Sequence, residues 1–200
     1  SDGTRAACRL AIPDRLLYPL ADLQMVTVGD LNITSFRKYH DAADPHSFLI
    51  SGDGYTVGVF TDIGRACERV VNYFGQCDAA FLEANYDVGM LMQGRYPFFL
   101  KNRIRSGYGH LSNAEALELF VRYRSPKLSH LFLSHLSRDN NDPELVYNLF
   151  NDHRGDTEII IAGRYAETGV YGLGEAEMSS YLLFEQEISI SYTVSRLTSD

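Results

Sequence analysis

Residues 55–86, YTVGVFTDIGRACERVVNYFGQCDAAFLEANY, decide the fold class. YTVGVF is a short apolar run rich in β-branched and aromatic residues, and it stops at the polar pair Thr61-Asp62; such a run reads as a buried strand. GRACERVVNYFGQ follows, with Ala66, Val70 and Phe74 at fourfold spacing along one face of a short helix that Gly75 ends. AAFLE then reads as a second strand entering a polar bend at Asn85. Strand, helix, strand in that order predicts an α/β layer rather than an all-β sandwich. It also places Asp62, Glu83, Asn85 and Asp87 near one edge of the sheet, where loops present side chains over a stiff scaffold.

Working outward toward the N-terminus, SFLISGDGYTVGVF is a hairpin about Gly52-Asp53-Gly54, and LQMVTVGDLNITSFRKYH is a pair of strands about a Gly-Asp turn. His40 falls just past the second of these strands. RAACRLA fits a short helix, and two prolines in AIPDRLLYPL forbid a long one. Toward the C-terminus, YDVGMLMQGRYPFFLKNRIRSG predicts two helical pieces interrupted at Gly-Arg-Tyr-Pro. AEALELFVRYR continues a helix whose stripe is Leu111, Ala114, Leu117 and Val121, capped by Ser112 or Asn113. LSHLFLS is a buried strand ending at His135, PELVYNLFNDH a helix begun by Pro143, and TEIIIAGRY a further strand. The tail, residues 165–200, leaves this rhythm, and SSYLLFEQEISISYTV within it predicts one or two extra strands. With no internal repeat and no long linker, residues 1–200 read as a single domain.

At 200 residues and 45% hydrophobic, the chain can bury a substantial core. No apolar stretch is long enough to span a bilayer, so no membrane partner is expected. The polar opening SDGTRAACR does not read as a signal peptide, which makes the cytoplasm the default location. Cys8, Cys67 and Cys77 cannot all pair within one chain, which fits a reducing compartment. The 26 acidic against 18 basic residues leave a net charge of -8, a field that opposes indiscriminate binding to a polyanion. A local basic cluster nevertheless stands out in KNRIRSGYGH, with Lys101, Arg103 and Arg105 alternating ahead of His110.

Three separated polar positions carry the chemistry. His40, with Asp41 and Asp44 close behind it, Asp62 and His135 each sit where a strand should end, and together they resemble half of a metal site. Each has a structural alternative. The His40 run suits a turn, Asp62 suits a cap for the helix after it, and His135 suits a buried ring donating to a carbonyl.

The order of the motifs resembles that of the metallo-β-lactamase-fold hydrolases, and within them the bacterial exonuclease branch of the WalJ (YycJ) proteins, over roughly residues 3–162. SFRKYHDAADPHSFLI resembles the third metal motif, with His40 as ligand; VGVFTDIG resembles the fourth, with Asp62 bridging two ions; LSHLSRDNNDP resembles the closing motif, with His135 on the second ion and Asn140-Asn141 following. FLEANYD, GRYPFFLKNRI and GHLSN are more specific to the branch, although Tyr86 stands where the family more often has histidine. The fold implied is a four-layered αβ/βα sandwich, incomplete at the N-terminus, because the family's His-x-His-x-Asp-His motif has no counterpart here and about 80 residues of the family pattern would precede Ser1. The resemblance implies two divalent ions, zinc or manganese, in the full-length form, and hydrolysis of a phosphodiester, as a 5′ DNA exonuclease, with the 200 residues alone inactive. It further implies Asp62 and His110 as catalytic groups, and Lys101, Arg103, Arg105 and Asn113 as substrate contacts. Asp41, Glu83, Asn85, Asp87, Asn140 and Asn141 would orient ligands. A small-molecule or cyclic phosphodiesterase, and a non-catalytic scaffold of the same fold, are the alternatives. An exposed sheet edge in such a chain would favour a homo-oligomer.

Overall fold

The structure, a computed structural model, describes residues 1–7, 13, 15 and 17–174. By its internal contacts the chain divides at Thr168. The larger unit, Ser1–Thr168, contains every element named below; of the remainder, Gly169–Gly174 are described and form neither helix nor strand. The strands expected in SSYLLFEQEISISYTV lie outside the described residues.

After a short helix α1 (Asp2–Ala7) come β1 (Met25–Val28), β2 (Leu31–Arg37), β3 (His46–Gly52) and β4 (Tyr55–Phe60). Helix α2 (Glu68–Phe74) leads to β5 (Ala79–Glu83), and α3 (Val88–Gln93), α4 (Phe98–Ile104) and α5 (Asn113–Tyr123) lead to β6 (His130–Ser134). Helix α6 (Pro143–Asn151) returns the chain to β7 (Glu158–Ile161). The seven strands form one mixed sheet in sequence order, antiparallel from β1 to β4 and parallel from β4 to β7. The α/β architecture expected from residues 55–86 is therefore present, with helices α2 and α6 as the crossovers on either side of the β5–β6 pair.

Strand pairing aligns Phe60 with Leu82, Leu82 with Leu133 and Leu133 with Ile161, so one face of the sheet carries an unbroken apolar row. Phe36 and Leu49 extend that face, and Val70 and Phe74 of α2, Ala116, Leu119 and Phe120 of α5, and Val146 and Phe150 of α6 close over it. This cluster is the core, and removing its apolar area from water is the main driving force for the fold.

Two local expectations are corrected. The buried face of α5 is Asn113, Ala116, Leu119 and Phe120, whereas Ala114 and Val121 are exposed. Both stripes have helical spacing; the one with the larger side chains at Leu119 and Phe120 buries more apolar area and wins. The helix after Asp62 begins at Glu68 with Cys67 as its N-cap, which leaves Ala66 exposed outside it and removes helix capping as the reason for Asp62. Ser112 is the cap of α5, in a reciprocal pairing with Glu115.

Candidate metal centre

Because β2 is antiparallel to β3 and β3 to β4, β2 runs in the same direction as β4, β5 and β6. The residues that leave the C-terminal ends of these four strands therefore meet at one edge: His40 after β2, Asp62 after β4, Glu83 closing β5 and His135 after β6. That edge is where open α/β sheets place their ligands. Asp62 and His135 both hold left-handed backbone conformations, with φ of 52° and 57°. Such φ values are uncommon and strained for side chains other than glycine, though more accessible to Asp and His.

Oδ1 of Asp62 is the hub. It lies 3.6 Å from His40 Nε2, 3.8 Å from His110 Nδ1 and 3.5 Å from His135 Nδ1. The three imidazoles stand in a row with His110 in the middle, at centroid spacings of 5.2 and 5.1 Å. Asp62, Glu83, His110 and His135 each bring a ligand atom within 4.8 Å of the others, the geometry of a cluster able to hold a metal ion. The 3.6 Å between His40 Nε2 and Asp62 Oδ1 is close to the about 3.3 Å that separates neighbouring ligand atoms around a tetrahedral ion at usual bond lengths.

Proton placement in the cluster follows from its acceptors. Nδ1 of His40 is 2.8 Å from the Gly109 carbonyl, which can only accept. Nδ1 of His110 and Nδ1 of His135 are 2.7 and 2.8 Å from the same oxygen, Oε1 of Glu83. Glu83 is fully buried, and its other oxygen accepts from the Ile63 amide at 2.6 Å. Burial pushes the Glu83 carboxyl up, but the bonds from His110 and His135, the charge of His110 and the Ile63 amide together hold it below its ordinary value. An ionised Glu83 accepts only, so all three rings donate through Nδ1 and each neutral ring keeps its lone pair on Nε2. This is the tautomer a metal-binding histidine needs, fixed by its outer partners. The bond to Glu83 outweighs burial at His135 and, with the charges of Glu83 and Asp62, raises that ring above its usual pKa.

Close backbone approach makes the cluster possible. A Cβ on Gly64 would lie 2.4 Å from the Gly107 carbonyl oxygen, so only glycine lets the Asp62 loop rest on the loop that carries His110. Lys38, which the sequence did not mark, donates from its half-buried amine to the Thr61 carbonyl. Burial pushes its pKa down against the opposing pull of Asp62 and Glu83. The signal available was a lysine two residues before a candidate ligand histidine at a strand exit.

The other candidates divide between the cluster and its supports. Asn85 donates to the His135 carbonyl at 2.7 Å, and Asn141 donates to the carbonyls of Ala84 and Asn85. Asn113 is buried and exchanges amide hydrogen bonds with Asn141, which ties the start of α5 to the loop after β6. Asn140 bonds Ser137, and its carbonyl accepts from the Asp87 amide. Asp87 is the N-cap of α3 and not a partner of any ring. Asp41 lies 3.6 Å from His40 Nε2 and accepts from Arg103 at 2.5 Å, a bond that lowers its pKa. Lys101 is spent on the carbonyls of Met92 and Gly94, and Arg105 reaches the Met92 sulfur. Beside His135, a cavity of about 720 Å³ opens between the Ser134–Arg138 turn and residues 161–166.

No family model matches the chain. A crystal structure of the metallo-β-lactamase fold protein YhfI from Bacillus subtilis superposes with a TM-score of 0.56 at 17% identity, over 78% of this chain and 58% of that one. The chain has the metallo-β-lactamase fold. The Zn²⁺-bound PqqB from Methylobacterium extorquens superposes at a TM-score of 0.50 and 12% identity, covering 76% and 53% of the two chains. In sequence, the fold is related to exodeoxyribonuclease YycJ of Bacillus anthracis, 34% identical over 132 residues, which is 66% of this chain and 49% of that protein. Exodeoxyribonuclease WalJ of Streptococcus pneumoniae (strain D39) is 36% identical over 121 residues, 60% of this chain and 45% of its own. The chain thus spans about half the length of the curated relatives it matches. No described helix is long and apolar enough to cross a membrane.

Proposed function

We propose that the edge at Asp62 is part of the metal centre of a phosphodiester hydrolase, and that the protein carrying it is a 5′ DNA exonuclease. One observation carries this reading: three imidazoles gather within 3.8 Å of one carboxylate oxygen, His40 through Nε2 and His110 and His135 through Nδ1, with Glu83 holding the last two rings. The names of the sequence relatives support the nuclease part. His40, Asp62 and His135 would hold a divalent ion, zinc or manganese. A bound divalent ion supplies an acidified water and stabilises charge developing on the phosphate. Glu83 holds His110 and His135 through Nδ1, and His110, in the middle of the row, would donate from Nε2 to the scissile phosphate or the leaving oxygen when its ring carries a second proton.

The test is hydrolysis of a 5′-labelled DNA duplex by the intact protein with added manganese. Release of labelled 5′ mononucleotides is expected; internal cuts, or no products across a metal titration, would sink the exonuclease reading. The 200 residues by themselves are expected to bind one ion weakly and to hydrolyse nothing appreciable. The cavity beside His135 favours a second reading, a nucleotide-sized phosphodiester as substrate, since about 300–1,000 Å³ is the usual range for such ligands. Turnover of a cyclic dinucleotide at a higher rate than DNA would select it.

A further inference from the structure

Residues 88–114 contain no aspartate or glutamate and four cations, Arg95, Lys101, Arg103 and Arg105, in a chain whose net charge is -8. At the head of α4 in this same stretch, Phe98 and Phe99 are each 72% exposed, with Met92 of α3 also exposed nearby in sequence. Adjacent phenyl rings left in water forfeit burial energy, and such apolar exposure rimmed by polar groups marks a contact surface. We propose that Phe98 and Phe99 form a stacking platform for unpaired bases of a single-stranded nucleic-acid end whose backbone follows the arginines to the metal centre. The proposal rests on the phosphodiesterase reading for its orientation.

The opposite end of α4 reaches the cluster. Arg103 binds Asp41 beside His40, and the Ile104 carbonyl accepts from the His110 amide at 2.9 Å. Five or six residues of helix at about 1.5 Å each separate that end from the two rings, about 8 Å in all, close to one nucleotide step of an extended strand. The platform is also stiff: Lys101 ties α4 to the end of α3 through two carbonyls, and Tyr96 donates to Asp139 at 3.0 Å. Base-tolerant recognition of single strands combines these two ingredients, a cationic track and aromatic faces. A protein partner would find the rings equally apolar. The stretch itself carries four cations and no acidic residue, against the charge of the rest of the chain, which favours a polyanion, although Asp41 holds Arg103 and Asp139 holds Tyr96.

The test is fluorescence anisotropy of a 3′-labelled twelve-nucleotide oligothymidylate with the intact protein in EDTA, where no cleavage occurs. F98A/F99A should weaken binding by about tenfold or more, F98L/F99L by a similar factor, and F98W/F99W should restore it to near the wild-type value. Unmeasurable binding by the wild-type protein, unchanged binding by the alanine pair, or full rescue by leucine would overturn the platform. So would a drop in sedimentation mass on F98A/F99A without loss of DNA affinity, which would make the rings a protein interface. Hydrolysis of bis(p-nitrophenyl) phosphate by the wild-type protein with manganese scores the metal centre separately. Its failure alongside ring-dependent binding removes the phosphodiesterase reading and keeps the platform; the reverse result does the opposite.

Discussion

Strands β1 to β4 fold back through tight turns at Gly29-Asp30 and Asp53-Gly54 and a longer loop, residues 38–45, between β2 and β3, whereas β4 to β7 all run one way and need helices to return the chain. In the hairpin half, left-handed conformations occur at turn residues, with φ of 58° at Gly29, 50° at Asp53 and 81° at Gly54. The parallel half has left-handed loop glycines too, Gly107 and Gly155 with φ of 29° and 59°, and in addition Asp62 and His135, where the chain leaves a strand and no turn type requires them. The hairpin half uses left-handed residues to reverse the chain cheaply; the parallel half also uses them to aim side chains, and accepts strain to do so. Function should therefore respond to changes at the parallel edge far more than stability does, and the hairpins should show the reverse.

The largest expected effect is on metal affinity. Asp62→Asn keeps the shape of the hub and removes its charge. Losing an outer partner of a ligand alone costs about 10–100-fold, so loss of the hub should exceed a hundredfold by titration calorimetry with Zn²⁺ or Mn²⁺, with an unchanged circular dichroism spectrum. Equal affinity in the variant would mean that Asp62 is a structural residue after all, and the contrast between the halves would collapse.

Glu83→Gln comes next and touches both properties. Either orientation of the amide sets an N–H group against a donor, the two rings on one side or the Ile63 amide on the other. The expected cost is about 3 kcal/mol in urea unfolding, together with about 10–100-fold in metal affinity. A variant as stable as the parent would show that the buried carboxylate is not what fixes the rings.

The metal-free protein should also titrate in a defined way. His135 is raised above 6.5, so its stabilising contribution is complete below about that pH and is lost as pH rises through the folded value. Glu83 is lowered below 4.5, so its contribution is complete above about that pH and is lost as pH falls through the folded value. Urea midpoints should therefore peak between these limits and decline on both sides, and Glu83→Gln should flatten both limbs. A flat wild-type profile from pH 4 to 8 would contradict the hydrogen-bonded cluster.

How much of this was legible in the sequence differs between the two halves. The hairpins could be read because Gly-Asp and Asp-Gly between apolar runs have a local cause, and the strand-helix-strand order of residues 55–86 gave the layer type. His40, Asp62 and His135 were legible as strand-end polar residues, and a capping role for Asp62 disappeared once Cys67 headed α2. The sharing of one Glu83 oxygen by two rings was not legible, because residues 83, 110 and 135 meet only after β5 and β6 pair. Nor was the fate of Asn113, which faces Asn141 across a long-range contact that spacing along one helix cannot reveal. The basic residues 101–105 looked like one patch, yet Lys101 and Arg103 are partly committed inside the protein, a fact that only side-chain partners disclose.

The smallest effect is the sharpest test of the contrast, because it uses one backbone conformation at two places. Gly54 has φ of 81° and open space where a Cβ would sit, so Gly54→Ala meets no clash and should cost only the left-handed penalty, about 1 kcal/mol. Asp62→Gly reverses that change at φ of 52° and should return less, about 0.5 kcal/mol of added stability, because aspartate tolerates the left-handed region better than alanine and glycine loses more backbone entropy on folding. The comparison belongs in metal-free buffer, so that ligand binding makes no contribution to stability. Under those conditions Asp62→Gly should unfold at higher urea than the parent while binding no metal, and Gly54→Ala should unfold at lower urea with metal affinity intact. If Asp62→Gly is instead destabilised, then the aspartate side chain stabilises the apo fold, and the strain at the parallel edge is offset by local contacts rather than held for a ligand.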